Sequence, residues 1–312
     1  MLRDSKIIKP HKPSIGIPII IVASFFNAAM ATMVKLILKE TELPNQMLVF
    51  FRFGISFFLL LPLLFAFPRY RPIQETLKIN IWPPYVIRMI AGMLTIYAYF
   101  FALQKIPLSI AVLLTYTSPL FIPIVAWVWK GVPIKPKIWW GLGVGFLGVA
   151  LIVGPKFEKF QIGYLIGLIA GLFAAISYVA ARLQSYTERP IAINFYFFFG
   201  ASVIAFLLSA RSLIETIPHI SFKVWVMLLL MGTFGAIFQG LVILALKWTQ
   251  ARFLGAFFYF AVGYAIFIEW AMFHKVPAKL SILGVCLIVV AGVLMAILDP
   301  GKEKRDDVPK VS

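Results

Sequence analysis

Cysteine occurs once in this chain of 312 residues, as Cys286, and histidine three times, as His11, His219 and His274. One cysteine excludes an intramolecular disulfide, and so few soft ligands leave no spacing that reads as a metal site. Acids are scarce as well, at 12 Asp and Glu against 29 Lys and Arg. No apolar segment holds a pair of carboxylates, and the chain has no P-loop and no Gly-x-Ser-x-Gly elbow. The usual equipment of metal-dependent, nucleotide-driven and hydrolytic enzymes is therefore missing. The expectation is a protein that is not an enzyme and that uses no metal or cofactor.

What fills the chain instead is apolar surface. Hydrophobic residues make up 62%, charged residues 13%, and the mean hydropathy is +0.94. A soluble domain has roughly 45–50% apolar residues. The excess, including 30 Phe, reads as a polytopic protein whose main partner is the lipid bilayer.

A helix crosses a bilayer with ~20 apolar residues. Ten segments qualify: 15–35, 46–67, 83–104, 108–129, 138–154, 162–183, 191–209, 224–246, 253–273 and 280–298. The basic N-terminus (Arg3, Lys6, Lys9, Lys12) followed by "NAAMA" resembles a signal peptide. The run from Ile17 to Val34 is too long for a signal core, so it reads as the first span. The loops between spans are too short to house a soluble catalytic domain.

The net charge of +17 follows from loops rather than from a nucleic-acid partner. With the N-terminus inside, Lys and Arg fall on the cytoplasmic side about twice as often as outside. Both termini are expected in the cytoplasm, in a multi-pass protein of the bacterial inner (plasma) membrane.

The halves repeat each other. "ASFFNAAMATMVKL" (23–36) lies over "AGLFAAISYVAARL" (170–183), and "FFRFGIS" (50–56) over "YFFFGAS" (196–202). "GMLTIYAYFFAL" (92–103) lies over "GAIFQGLVILAL" (235–246), and "WVWKGVPIKPK" (127–137) over "WAMFHKVPAKL" (270–280). Five spans is an odd number, so the second copy enters the membrane from the opposite face. The expected fold is an all-α membrane protein with ten transmembrane helices in two inverted five-helix repeats, residues 15–154 and 162–298. Inverted repeats are common in secondary transporters, whose two copies exchange an opening on one side for one on the other.

These features, with Arg in the second span and the stretch "LSIAVLLTYTSPLFIPIVAWVWKGVPIKPKIWWGLGVGFLGVALIV" (108–153), resemble the drug/metabolite transporter superfamily in its tandem EamA form. The resemblance covers about 15–298. It rests most on Pro119 in the fourth span and on Gly141, Gly145 and Gly148 in the fifth. The Gly-Glu usual at the end of the fourth span is replaced by Lys130-Gly131. "VFFRFGISFFLLLP" (49–62) and "VIRMIAGML" (86–94) also resemble a bacterial branch that includes S-adenosylmethionine uptake proteins. The resemblance implies a secondary transporter of a small polar or amphipathic metabolite, amino-acid-like or S-adenosylmethionine-like, working by alternating access as a monomer or homodimer. A membrane-embedded enzyme acting on a lipid or isoprenoid is the alternative class.

Ionisable groups at membrane depth face a cavity or a partner. Arg52, in "MLVFFRFGISFF" (47–58), lies roughly 9 Å into the second span and Glu269 roughly 6 Å into the ninth, both from the outer face. At similar depth, Glu269 is a candidate partner for Arg52 and a candidate proton-coupling site. Arg88 sits near the inner face, either lining the path or snorkelling to the headgroups. Pro119 and Pro123 break the fourth span and free carbonyls there. Tyr116, Thr117, Ser118 and Pro119 therefore read as a substrate-facing wall, with Thr117 and Ser118 reachable from a central cavity. Gln239 in the eighth span and Tyr259 in the ninth complete the candidate substrate-binding set. Gly163, Gly167 and Gly171 form overlapping G-x-x-x-G steps that point to close helix packing within the monomer.

Overall fold

The computed structural model describes residues 13–66, 73–131, 136–153, 161–217, 220–248, 256–274 and 279–298. Among the described residues the chain is helical and has no strand. The reason is the solvent: in lipid each backbone N–H and C=O needs a partner within its own segment, and a helix supplies it. In the first half the helices are α1 (Pro13–Glu40), α2 (Asn45–Ala66), the single turn α3 (Ile73–Thr76), α4 (Pro83–Lys105), α5 (Leu108–Thr115), α6 (Ser118–Lys130) and α7 (Pro136–Val153). In the second half they are α8 (Ile162–Thr187), α9 (Pro190–Thr216), α10 (Phe222–Trp248), α11 (Phe260–Phe273) and α12 (Lys279–Leu298), with a 3-10 turn at Ala256–Tyr259 before α11.

Among the described residues, seven stretches are long and apolar enough to cross a membrane, α5 and α6 counting together as Leu108–Trp129. The ninth and tenth expected spans correspond to shorter apolar helices, Phe257–Phe273 and Ile282–Ala291. Outward faces are apolar, with Phe222, Ile214 and Trp140 each more than three-quarters exposed. Such faces suit acyl chains rather than water.

The break expected in the fourth span is present ahead of Pro119, whereas α6 runs on through Pro123, which sits inside the helix without ending it. α5 ends at Thr115, Tyr116 and Thr117 form a turn, and α6 starts at Ser118 with Pro119 in its first turn. That is where a proline costs least, since its missing N–H would have had no helical partner. Thr117 Oγ1 donates to the Leu114 carbonyl at 2.6 Å, answering one acceptor left by the break. At the other end of α6, Gly131 adopts a left-handed φ of 64° and its N–H bonds Trp127 O at 2.8 Å. Glycine takes that conformation without a Cβ clash.

The largest helix contacts join the halves: α1 with α10, α2 with α9, α4 with α8, and α7 with α12. α5 packs on α8 and α11, α6 on α8, and α1 on α11. Close approach depends on the small residues of α8. A Cβ on Gly163 would lie 2.9 Å from Ile106 Cγ2, and one on Gly171 would lie 2.7 Å from the Leu114 carbonyl oxygen. The three glycines thus seat α8 against α4, α5 and α6 of the same chain, as their spacing implied.

Candidate substrate-binding site

A cavity lies where the halves meet. α1 contributes Asn27, α2 Arg52, α4 Gly92, Thr95, Ile96 and Tyr99, and the α5–α6 break Thr115 and Tyr116. From the second half come Ala174, Ser177 and Tyr178 of α8, Phe197 of α9, and Phe238 and Gln239 of α10. In this conformer its volume is about 40 Å³. A water needs ~10–15 Å³ on that measure, so there is room for about three waters and not for a metabolite. A metabolite would fit only if the helices parted.

Arg52 is 1% exposed and is held by neutral groups from three helices. Its Nη2 donates to Gly235 O at 2.9 Å, its Nη1 to Ser56 Oγ at 2.8 Å, and its Nε to Met30 Sδ at 3.1 Å. Its guanidinium also lies 5.3 Å from the Phe53 ring centroid and 5.9 Å from that of Phe198. A Cβ on Gly235 would overlap the guanidinium, so a side chain at that position would have to displace Arg52. A guanidinium has five N–H donors, so the three bonds leave donors over for a ligand.

Glu269 does not meet Arg52. It is buried, and its carboxylate accepts from the backbone N–H of Leu108 at 3.0 Å and of Ser109 at 3.1 Å, and from Ser109 Oγ at 2.5 Å. Those are the first N–H groups of α5, which have no helical acceptor of their own. A carboxylate from α11 thus caps a helix of the other half, where the helix dipole favours negative charge.

Arg88 does not snorkel. It is 1% exposed and turned inward, with its guanidinium 4.7 Å from the Phe197 ring centroid. Tyr116 is on the cavity wall, stacked at 5.1 Å on Phe258, which stacks at 5.2 Å on Tyr178. Gln239 also lines the cavity. Thr117 and Ser118 are both fully buried. They sit behind Tyr116 against α8, where a Cβ on Gly171 would strike Thr117 Oγ1, so helix packing closes them off from the cavity in this conformer. Pro119 is buried beside them, and Tyr259 on the 3-10 turn is buried outside the lining. The hydroxyls of Tyr116 and Tyr259 are buried with no hydrogen-bond partner among the described residues.

Sequence reasoning missed Thr95, Tyr99, Ser177, Tyr178 and Phe197. A signal was available in "GMLTIYAY" (92–99), because Gly92, Thr95, Ile96 and Tyr99 recur at helical spacing and share one face.

The model of the EamA-like transporter family matches this chain twice, over residues 14–154 and 161–297. The chain belongs to the EamA-like transporter family. Among its relatives is a pseudopaline exporter of Pseudomonas aeruginosa, 28% identical over 90% of this chain and 95% of that one. A riboflavin transporter of Brucella anthropi is 23% identical over 85% of this chain and 92% of its own length. An uncharacterized transporter of Helicobacter pylori is 25% identical over 90% and 94%. A crystal structure of a protein covers 94% of this chain and all of its own, with a TM-score of 0.66 at 20% identity. At that identity it shows the fold alone. This EamA-family chain is thus a multi-pass membrane protein with two EamA repeats, and its relatives are named as transporters and exporters.

Proposed function

We propose that the chain is a secondary transporter that moves a small polar or amphipathic metabolite across the bacterial inner membrane by alternating access. The observation that carries this reading is the cavity on the seam between the halves. It is lined by both halves and holds Arg52, which no acid among the described residues pairs. A seam that parts at one end and then at the other would expose the same residues to either side. The packing supports ten helices in two inverted five-helix repeats, residues 15–154 and 162–298. Exchanging the halves turns the α1–α10 contact into the α8–α4 contact and maps α2–α9 and α7–α12 onto themselves. The relatives are named for different cargoes, pseudopaline and riboflavin, so the cargo of this chain must be read from its own residues. We assign that role to Arg52, Tyr116 and Gln239, all of which line the cavity.

Proteoliposomes loaded with a soluble metabolite extract test the reading. Protein-containing vesicles are expected to release a defined subset of solutes that protein-free vesicles retain, with saturation in exchange against external solute. Release of nothing, or chemical conversion of a solute without its movement, overturns it.

Topology is tested separately. Both termini are expected in the cytoplasm, and positions 312 and 156 lie outside the described residues. Single cysteines replacing Ser312 and Lys156 in a Cys286→Ser background are expected to split, with only position 156 labelled by an impermeant maleimide on intact cells. Labelling of 312 with protection of 156 reverses the orientation.

A further inference from the structure

We infer that the transport path carries a second anion-binding station at Arg88, one helical turn beyond the central cavity. The transported solute accordingly bears a carboxylate or related oxyanion. The inference rests on the transporter reading above and narrows its substrate class.

Arg88 lies four residues before Gly92 on the cavity-lining face of α4, a rise of ~6 Å. Its guanidinium is held by two long bonds, from Nη1 to Gln184 Oε1 at 3.3 Å and from Nη2 to Asn194 Oδ1 at 3.4 Å. Both exceed the ordinary range of roughly 2.7–3.2 Å. Arg88 Nε and Gln184 Nε2 are buried and have no acceptor among the described residues. Nor does Arg88 form an ion pair among them. Glu188, four residues after Gln184, is turned away to accept from Asn80 N at 2.8 Å and Asn80 Nδ2 at 3.1 Å.

The deficit has a definite sign. Two adjacent orphans are donors, and the group that carries one of them is a fixed cation. A neutral acceptor such as water answers the donors but not the charge. An oxyanion answers both, and the planar fork of Arg is shaped for it.

Phe197 joins the two stations. Its ring lies against the Arg88 guanidinium and also lines the cavity. Glycine at position 92 lets that ring lie across α4, since a Cβ there would stand 2.7 Å from Phe197 Cζ. On this inference the ring stands between Arg88 and the space beside Arg52, and its rotation would open a continuous route between two cations. With two stations, an anion is handed on rather than trapped at one.

Matched acid and amide probes test this on the purified full chain in nanodiscs: benzoate with benzamide, and succinate with succinamide. Titration followed by the thermal midpoint reads the affinities. Each acid is expected to bind wild type about tenfold tighter than its amide, the effect of one charge-assisted contact. Arg88→Gln is expected to lower that preference by most of this factor, and Arg88→Lys to retain part of it. A merely structural Arg88 would lower the midpoint without ligand and leave the acid-to-amide ratio unchanged. The inference is overturned if acid and amide bind wild type alike, if neither binds, or if the ratio survives Arg88→Gln. The vesicle experiment separates the two readings. Released solutes that lack an oxyanion group sink this inference while transport stands, whereas no release at all sinks transport itself.

Discussion

Arg52→Lys is expected to leave a folded, membrane-inserted protein whose transport falls by about 10–100-fold, equivalent to ~1.4–3 kcal/mol of lost interaction. The Arg52 fork reaches Met30 on α1, Ser56 on α2 and Gly235 on α10 at once. An ammonium keeps the charge but is a compact point donor with no fork. It can replace some of these bonds and cannot present the remaining donors in the same plane to a solute. Arg52→Gln removes the charge as well and is expected to abolish transport. It leaves the buried Gly235 carbonyl short of a partner, a loss of about 1–3 kcal/mol in stability. Uptake or release in proteoliposomes, beside size-exclusion profiles that verify folding, checks both variants. Wild-type transport by both would make Arg52 a purely structural residue.

Glu269→Ala is expected to be the most destabilising single change in the second half. It leaves the N–H groups of Leu108 and Ser109 and the Ser109 hydroxyl without the acceptor they share. An unanswered buried donor costs about 1–3 kcal/mol, so a loss of ~3 kcal/mol or more is expected. Glu269→Gln keeps one acceptor oxygen and loses the charge, and should fall between Ala and wild type. Ser109→Ala made alone and in the Glu269→Gln background gives the coupling between the two side chains. Thermal midpoints by tryptophan fluorescence supply the measurement. An Ala variant as stable as wild type would show that the carboxylate is dispensable at the α5 end.

Most of the long helices were legible because lipid imposes one requirement, about 20 apolar residues in a row. The break in the fourth span was legible in Pro119, whose ring and missing N–H act locally. Arg52 stood out because a cation in an apolar run has to face inward. Its surroundings were not legible. Depth placed Arg52 and Glu269 at one level, but depth is a single coordinate. The direction each side chain takes around its helix depends on neighbours, and α2 faces α9 and α10 while α11 faces α1 and α5. The principal partner across the seam is the carbonyl of Gly235, and a backbone acceptor leaves no mark in a sequence. Arg88 was left undecided for a related reason. Its position near a helix end permits snorkelling, and only the packing of α8 and α9 against α4 turns it inward. Phe197 and Tyr178 were hidden by their own kind, since an aromatic side chain suits lipid and a cavity wall equally well.

The cap on α5 also breaks the likeness between the halves. In the alignment of "WVWKGVPIKPK" with "WAMFHKVPAKL", the residue matching Glu269 is Ala126, which carries no acceptor. A carboxylate therefore ties α11 to the start of α5, and its counterpart in the first half supplies no such tie. For the alternating access proposed above, this makes the two closed forms unequal in free energy. A bias of ~1.4 kcal/mol is a tenfold tilt in population. On that proposal, the form that keeps the Glu269 tie is the favoured one.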